Sequence, residues 1–98
     1  LLTPLTITKL LTYMYKSRNR DAWMSTLPVG GEDGTLAKRF SGSRLAAQVK
    51  AKTGSITHVN ALSGYAGRFA FSIMVNNSNR HASAVRRVID QLVLALVR

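Results

Sequence analysis

The sequence predicts an α+β fold in which three antiparallel strands carry flanking helices. The apolar residues follow a helical spacing at the start of the chain, alternate from about residue 48, and return to helical spacing after residue 82. Short connections between the alternating segments predict antiparallel neighbours. We therefore expect one modest α+β unit over residues 1–98, with no repeat and no linker.

The first helix is predicted to start at Thr3-Pro4, with Thr3 as the N-cap and Pro4 in the first helical position. A second short helix is expected to be capped by Asp21, to run through Trp23 and to close before Pro28. The expected apolar face of the first helix consists of Ile7, Leu10, Leu11, Met14 and Tyr15.

The middle of the chain predicts a turn-rich loop over residues 27–34 and a short helix over residues 35–40. Strands are expected from residue 49, over residues 59–66 and over residues 69–75. The closing helix, over residues 82–98, is expected to present one apolar face. That face is predicted to hold Val85, Val88, Ile89, Leu92 and Leu96, and the aromatic residues Tyr13, Tyr15, Trp23 and Phe71 are predicted to pack in the core.

The composition is strongly basic, with 14 Lys and Arg against 4 Asp and Glu, a net charge of +10. Such a charge attracts polyanions, but the basic residues are scattered, which favours a solvated basic surface over a nucleic-acid site. The apolar stretch at residues 92–97 is much shorter than the roughly 20 residues of a membrane span. No cysteine is present, and His58 and His81 are isolated, so neither a disulfide framework nor a metal site is expected.

The most informative motif is Lys52-Thr53-Gly54. This triplet is a signature of serine-acylating penicillin-binding proteins and β-lactamases, where it accompanies an S-x-x-K motif and an S-D-N motif. No Ser of this chain has a Lys three positions later. Together with the internal-looking start at Leu1, this predicts the carboxyl-terminal piece of an enzyme, with any signal peptide upstream.

An exposed strand with this sequence has the parts needed to bind a peptide with a free carboxylate. Alternation places Lys52 and Gly54 on one face, where Lys52 supplies a cation and Gly54 a bare backbone. The backbone N–H of Ser55 can point at a scissile carbonyl oxygen, and one such donor is worth about 10² to 10³ in rate. Strict alternation turns Thr53 to the other face. A strand ending in a glycine turn would explain the triplet equally well.

Longer segments decide between these interpretations by resemblance. They are Leu27-Pro28-Val29-Gly30-Gly31-Glu32-Asp33-Gly34-Thr35-Leu36, Val49-Lys50-Ala51-Lys52-Thr53-Gly54-Ser55-Ile56 and Val59-Asn60-Ala61-Leu62-Ser63-Gly64-Tyr65. In order and spacing the chain resembles the D-alanyl-D-alanine carboxypeptidase/endopeptidase family, the class C low-molecular-mass penicillin-binding proteins. The resemblance implies the carboxyl-terminal part of a penicillin-binding transpeptidase domain, with its active-site edge strand at residues 49–55.

The same resemblance implies roles for four residues. Lys52 would bind the terminal carboxylate of the substrate and assist proton transfer, Thr53 and Ser55 would hydrogen-bond that carboxylate, and Gly54 would let the substrate approach. The Ser55 N–H would be half of the oxyanion hole. The implied partners are peptidoglycan stem peptides ending in D-Ala-D-Ala and β-lactams, with no cofactor, in the periplasm or cell envelope. The alternatives are a small basic module that binds polyanions and a non-catalytic relative that binds cell wall.

Overall fold

The computed structural model describes residues 3–32, 36, 39–40, 45–56, 59–76 and 82–97, and within these ranges the side chains of all residues except Ser55, Ile56 and Ala82. In the described part, three helices and three strands follow one another as α1 (Pro4–Lys16), α2 (Arg20–Ser25), β1 (Val49–Ile56), β2 (Val59–Ala66), β3 (Phe69–Asn76) and α3 (Ala82–Val97). A short 3₁₀ turn, Ala46–Gln48, leads into β1.

The predicted start of α1 is confirmed, because the Thr3 hydroxyl accepts a hydrogen bond from the Thr6 N–H at 3.1 Å and Pro4 takes the first helical position. The predicted apolar face of α1 is only partly correct. Leu11 is buried against the sheet, and Ile7 and Met14 are half-buried, whereas Leu10 and Tyr15 are exposed. The core positions predicted for Tyr13 and Tyr15 are therefore wrong, since both rings lie at the surface of α1. Among the described residues the helix packs mainly against β3, α2 and β2, and this contact surface is narrower than its apolar arc.

The second helix differs from its prediction at its start. α2 begins at Arg20 with Asn19 as the N-cap, and Asp21 lies inside the first turn rather than capping it. The short helix predicted over residues 35–40 falls largely on residues outside the described ranges. Phe40 has a φ of 62°, which is not a right-handed helical value, so that helix does not extend to Phe40.

The predicted strands are confirmed, and β3 runs one residue further than expected. They form an antiparallel sheet of order β1-β2-β3, joined between β2 and β3 by a tight turn in which Gly67 has a φ of 58°. The register places Lys52 opposite Ser63, and Ser63 opposite Ser72. Because side chains alternate across a strand, these three residues share one face of the sheet.

The main core lies on the other face of the sheet, beneath α3. Its members are Leu36, Phe40, Ala46, Val49, Ala51, Leu62, Ala66, Phe71, Val85, Ile89 and Val93. The predicted burial of Phe71 is confirmed, but the face predicted for α3 is partly wrong. Every fourth residue, Val85, Ile89 and Val93, faces the sheet, whereas Val88, Leu92 and Leu96 are exposed. The apolar arc of α3 is therefore wider than the sheet beneath it.

The ion pair between Arg39 and Asp90 joins the segment before β1 to α3. The Arg39 Nε donates to Asp90 Oδ1 at 3.0 Å, and only 11% and 17% of the two side chains are exposed. This pair fixes α3 along the sheet from outside the apolar core. Among the described helices, none is long and apolar enough to cross a membrane.

Candidate functional site

Lys52 and Gly54 lie exposed on the sheet face opposite α3, as the alternation predicts. Thr53 lies on the α3 face, in register with Leu62, and is half-buried. The structure therefore keeps the strict alternation, and the Thr53 hydroxyl and the Lys52 ammonium occupy opposite faces of β1. A role for Thr53 in binding a carboxylate stays a prediction.

The backbone groups of β1 alternate between its neighbour β2 and the outer edge of the sheet. The phase is set by Ala51, whose N–H donates outward to the Pro28 carbonyl at 3.0 Å, and by Val49, whose carbonyl accepts outward from the Gly30 N–H at 2.8 Å. By the same period of two, Thr53 and Ser55 direct their N–H and C=O groups to the outer edge. The Ser55 N–H thus points to the outer edge of the sheet, and its role in an oxyanion hole stays a prediction.

The first half of the β1 edge is covered by a short extended segment, residues 28–30. Val29 forms a β-bridge with Lys50, and the two hydrogen bonds of Val49 and Ala51 flank this bridge. Close approach requires glycine at position 30, because a Cβ there would lie 2.6 Å from the Ala46 carbonyl oxygen. The cover ends at Ala51, so the second half of β1, from Lys52 to Ser55, has no described strand along its outer side.

The face that carries Lys52 holds two sets of hydroxyl groups. The Ser63 and Ser72 hydroxyls are hydrogen-bonded at 2.9 Å directly across from Lys52. The next row carries Tyr65, whose hydroxyl accepts from Trp23 Nε1 at 2.9 Å and donates to the Leu11 carbonyl at 2.6 Å. Burial raises the pKa of Tyr65 above its ordinary value, and the Trp23 hydrogen bond opposes that shift. These bonds fix α1 and α2 against β2.

The Lys52 ammonium has no hydrogen bond or ion pair with another residue in the described part of the chain, where the ion pairs are Arg20–Asp21 and Arg39–Asp90. Its charge is therefore available to an anion from outside. No group of three potential metal ligands occurs among the described residues. The predictions concerning His58 and His81 fall outside those residues.

The pairing of residues 28–30 with β1 and the contact between Ser63 and Ser72 were not predicted from the sequence. A single β-branched residue between Pro28 and Gly30 is too short a signal for a strand. Ser63 and Ser72 alternate correctly with their buried neighbours, but only the strand register shows that they meet. The described site is thus an edge strand with a cation on one face, outward backbone groups and a covered upstream half.

Comparison with known proteins identifies the family to which this edge strand belongs. The model of the D-Ala-D-Ala carboxypeptidase 3 (S13) family matches residues 1–96. This chain belongs to the S13 family. The family resemblance inferred from the Lys52-Thr53-Gly54 triplet and its flanking segments is confirmed.

Individual relatives agree with the S13 assignment. The chain is 37% identical over 86 residues to "Penicillin-sensitive carboxypeptidase A" from Dictyostelium discoideum, covering 78% of this chain, and 41% identical over 88 residues to "D-alanyl-D-alanine carboxypeptidase" from an Actinomadura species, covering 81%. It superposes with a TM-score of 0.76 and 26% identity on penicillin binding protein 4 (dacB) from Haemophilus influenzae, over 95% of this chain. The α+β fold expected from the resemblance is thereby confirmed.

The matched S13 relatives are much longer than this chain. The chain spans 16% of the length of both curated relatives and 24% of the solved protein. What a whole S13 protein does therefore depends on residues beyond these 98.

Proposed function

We propose that this chain is the carboxyl-terminal part of a longer serine D-Ala-D-Ala carboxypeptidase, and that it contributes the edge strand that binds the substrate. The proposal rests on the alternation of the backbone groups of β1. This alternation directs the Ser55 N–H to the outer side of the strand, in the half that residues 28–30 leave uncovered. Lys52 lies three residues upstream with no described counterion. Family membership over residues 1–96 supports the same assignment.

The proposed substrate is a peptidoglycan stem peptide that ends in D-Ala-D-Ala. It would lie extended along residues 52–55 and add to the sheet edge. The Lys52 ammonium would hold the terminal carboxylate in a charge-assisted contact. The Ser55 N–H would donate to the carbonyl oxygen of the scissile bond, and the bare backbone of Gly54 would admit the peptide.

The nucleophile of this reaction would be a Ser of the parent protein that lies outside these 98 residues. Its oxygen would attack the carbonyl carbon, and the Ser55 N–H would stabilise the negative charge that develops on the carbonyl oxygen. The terminal D-Ala would leave with a proton on its amine, and water would hydrolyse the acyl-enzyme. A β-lactam would acylate the same Ser, and a cell-envelope location outside the cytoplasm fits a cell-wall substrate.

The test is acylation by penicillin in the parent protein, followed by intact-mass spectrometry. We expect a covalent adduct on a Ser that has a Lys three residues later. Lys52→Ala should lower the second-order rate constant of acylation about 30- to 160-fold, because it removes a charge-assisted contact worth about 2 to 3 kcal/mol.

Lys50→Ala is the matched control. Lys50 lies on the same face of β1, opposite Tyr65, and its loss changes the net charge equally. If acylation falls equally in both variants, Lys52 contributes only through the net positive charge of the protein and not through a specific contact with the carboxylate. A folded parent protein with no adduct would refute the proposal and favour the non-catalytic relative or the polyanion-binding module.

A further inference from the structure

A cavity of about 260 Å³ lies between the carboxyl end of α1 and the turn that joins β2 to β3. Helix α1 contributes Thr12, Tyr15 and Lys16 to its wall, and the β2–β3 hairpin contributes Tyr65, Gly67 and Arg68. The Gly67 N–H donates to the Gln48 carbonyl at 3.0 Å, which places the turn at the level of Gln48. Seven residues of about 3.4 Å separate that level from Ser55, so the cavity lies about 24 Å along the sheet from the end of the substrate edge. The cavity is therefore separate from the residues of the proposed function.

Two positive charges line this cavity, and no acidic side chain is among its lining residues. Lys16 belongs to the last turn of α1 and Arg68 to the β2–β3 turn, so the two charges come from segments that are far apart in the chain. Neither side chain takes part in an ion pair within the described part of the chain. Because two cations share one concave surface, a ligand that supplies negative charge is attracted to it.

The carboxyl end of a helix normally disfavours an anion, because its last carbonyl groups carry partial negative charge. At the end of α1 this effect is reduced, since the Ser17 N–H and hydroxyl both donate to the Met14 carbonyl, at 3.2 and 2.8 Å. The helix dipole explains a lysine at position 16 but does not explain Arg68, which belongs to another element. The Arg68 guanidinium lies 5.7 Å from the centre of the Phe69 ring, and this contact holds the charge at the turn.

Two tyrosine rings form a flat apolar part of the wall. The centres of the Tyr15 and Tyr65 rings are 5.7 Å apart, and the ring planes are inclined by 43°. Tyr65 is fixed by its hydrogen bonds to Trp23 and to the Leu11 carbonyl. The Arg20 guanidinium lies 5.0 Å from the centre of the Tyr15 ring and adds a third positive charge beside it. The volume is small for a pocket that takes drug-sized molecules, and it suits a single ring.

We propose that this cavity binds a phosphate monoester attached to a single ring. Such a phosphate carries about −1.5 to −2 charges at neutral pH and three acceptor oxygens, so it balances both Lys16 and Arg68, whereas one carboxylate balances only one of them. The ring lies against Tyr15 and Tyr65, where its apolar face is removed from water.

Three probes separate the contributions of charge and ring. They are phenyl phosphate, inorganic phosphate, which has the charge without the ring, and benzoate, which has the ring with a single charge. In isothermal titration calorimetry with the parent protein at low ionic strength, we expect phenyl phosphate to bind at least about fivefold more tightly than either of the others. Added salt should weaken its binding. Equal affinity for inorganic phosphate would overturn the role of the tyrosine rings, equal affinity for benzoate would overturn the preference for a dianion, and no binding of phenyl phosphate would overturn the site.

Substitutions of the two cations locate the binding site. Lys16→Gln and Arg68→Gln should each weaken phenyl phosphate binding at least about fivefold, because each removes a charge-assisted contact with the phosphate. Both side chains are exposed, so neither change is expected to unfold the protein. Arg87→Gln is the matched control, since it makes the same change of net charge at an exposed position of α3, on the opposite side of the sheet, and should leave the affinity unchanged. An equal loss of affinity in all three variants would assign the binding to the net charge of the protein and overturn the site.

Discussion

Gly54 and Gly64 are both strand glycines, and substituting each with alanine should have opposite consequences. Among the described residues, a Cβ added at Gly54 would meet only the Ala61 Cβ, at 3.7 Å, an ordinary van der Waals contact on the exposed Lys52 face. A Cβ at Gly64 would lie 2.2 Å from the Lys50 carbonyl oxygen and 2.5 Å from the Ala51 Cα, so β1 itself would have to move. The first substitution touches the proposed substrate path, and the second touches the fold.

For Gly54→Ala in the parent protein, we expect stability to be unchanged or raised by up to about 1 kcal/mol, because alanine restricts the unfolded chain and fits the strand. Acylation by penicillin should nevertheless fall about 10- to 100-fold, since the methyl group displaces the bound acyl donor by about 1 Å. For Gly64→Ala we expect a loss of about 1 to 3 kcal/mol or more from overpacking.

The assay combines thermal unfolding with a time course of the penicillin adduct by intact-mass spectrometry. Wild-type acylation kinetics in Gly54→Ala would refute the idea that the substrate lies against this backbone. A large loss of stability in Gly54→Ala would instead show that the face is covered in the parent protein.

Three further predictions concern the packing of this unit. Asp90→Ala in the parent should lower the free energy of unfolding in urea by about 3 kcal/mol, because it leaves the mostly buried Arg39 guanidinium without its carboxylate partner. Asp21→Ala, at an exposed ion pair, should have no measurable effect. Burial raises the pKa of Tyr65, so the contribution of its neutral hydroxyl to the free energy of unfolding is present below pH about 10 and is lost as the pH rises further. In Tyr65→Phe, the free energy of unfolding measured from about pH 9 to 11 should fall less steeply. The 98-residue chain alone should associate in light-scattering measurements, because Val88 and Leu92 are 54% and 53% exposed, and a monomeric cooperative transition would contradict this.

The sequence was sufficient to predict the order and bounds of the strands, because alternation and turn residues are local signals. The start of α1 at Thr3-Pro4 was equally predictable from capping chemistry. The triplet and its longer flanking matches identified the family and the face of Lys52 and Gly54. These features depend on neighbours in the chain and on side-chain types.

Other features depend on which surfaces meet, and the sequence could not supply them. The apolar residues of α3 span a wide arc, and only packing against the sheet selected Ile89 and Val93 for burial while leaving Leu92 exposed. Likewise, Asn19 rather than Asp21 precedes α2, since the exit of α1 sets where the next helix can begin.

The site itself shows the same division. The sequence alone determined that β1 carries a lysine and a glycine on one face, because side-chain alternation has a fixed period of two. Only the tertiary structure determined which backbone groups point outward, because that direction is set by the hydrogen bond from Ala51 to Pro28 across 22 intervening positions of the chain. The tertiary structure also showed that pairing along the outer edge of β1 ends at Pro28, which has no N–H to donate.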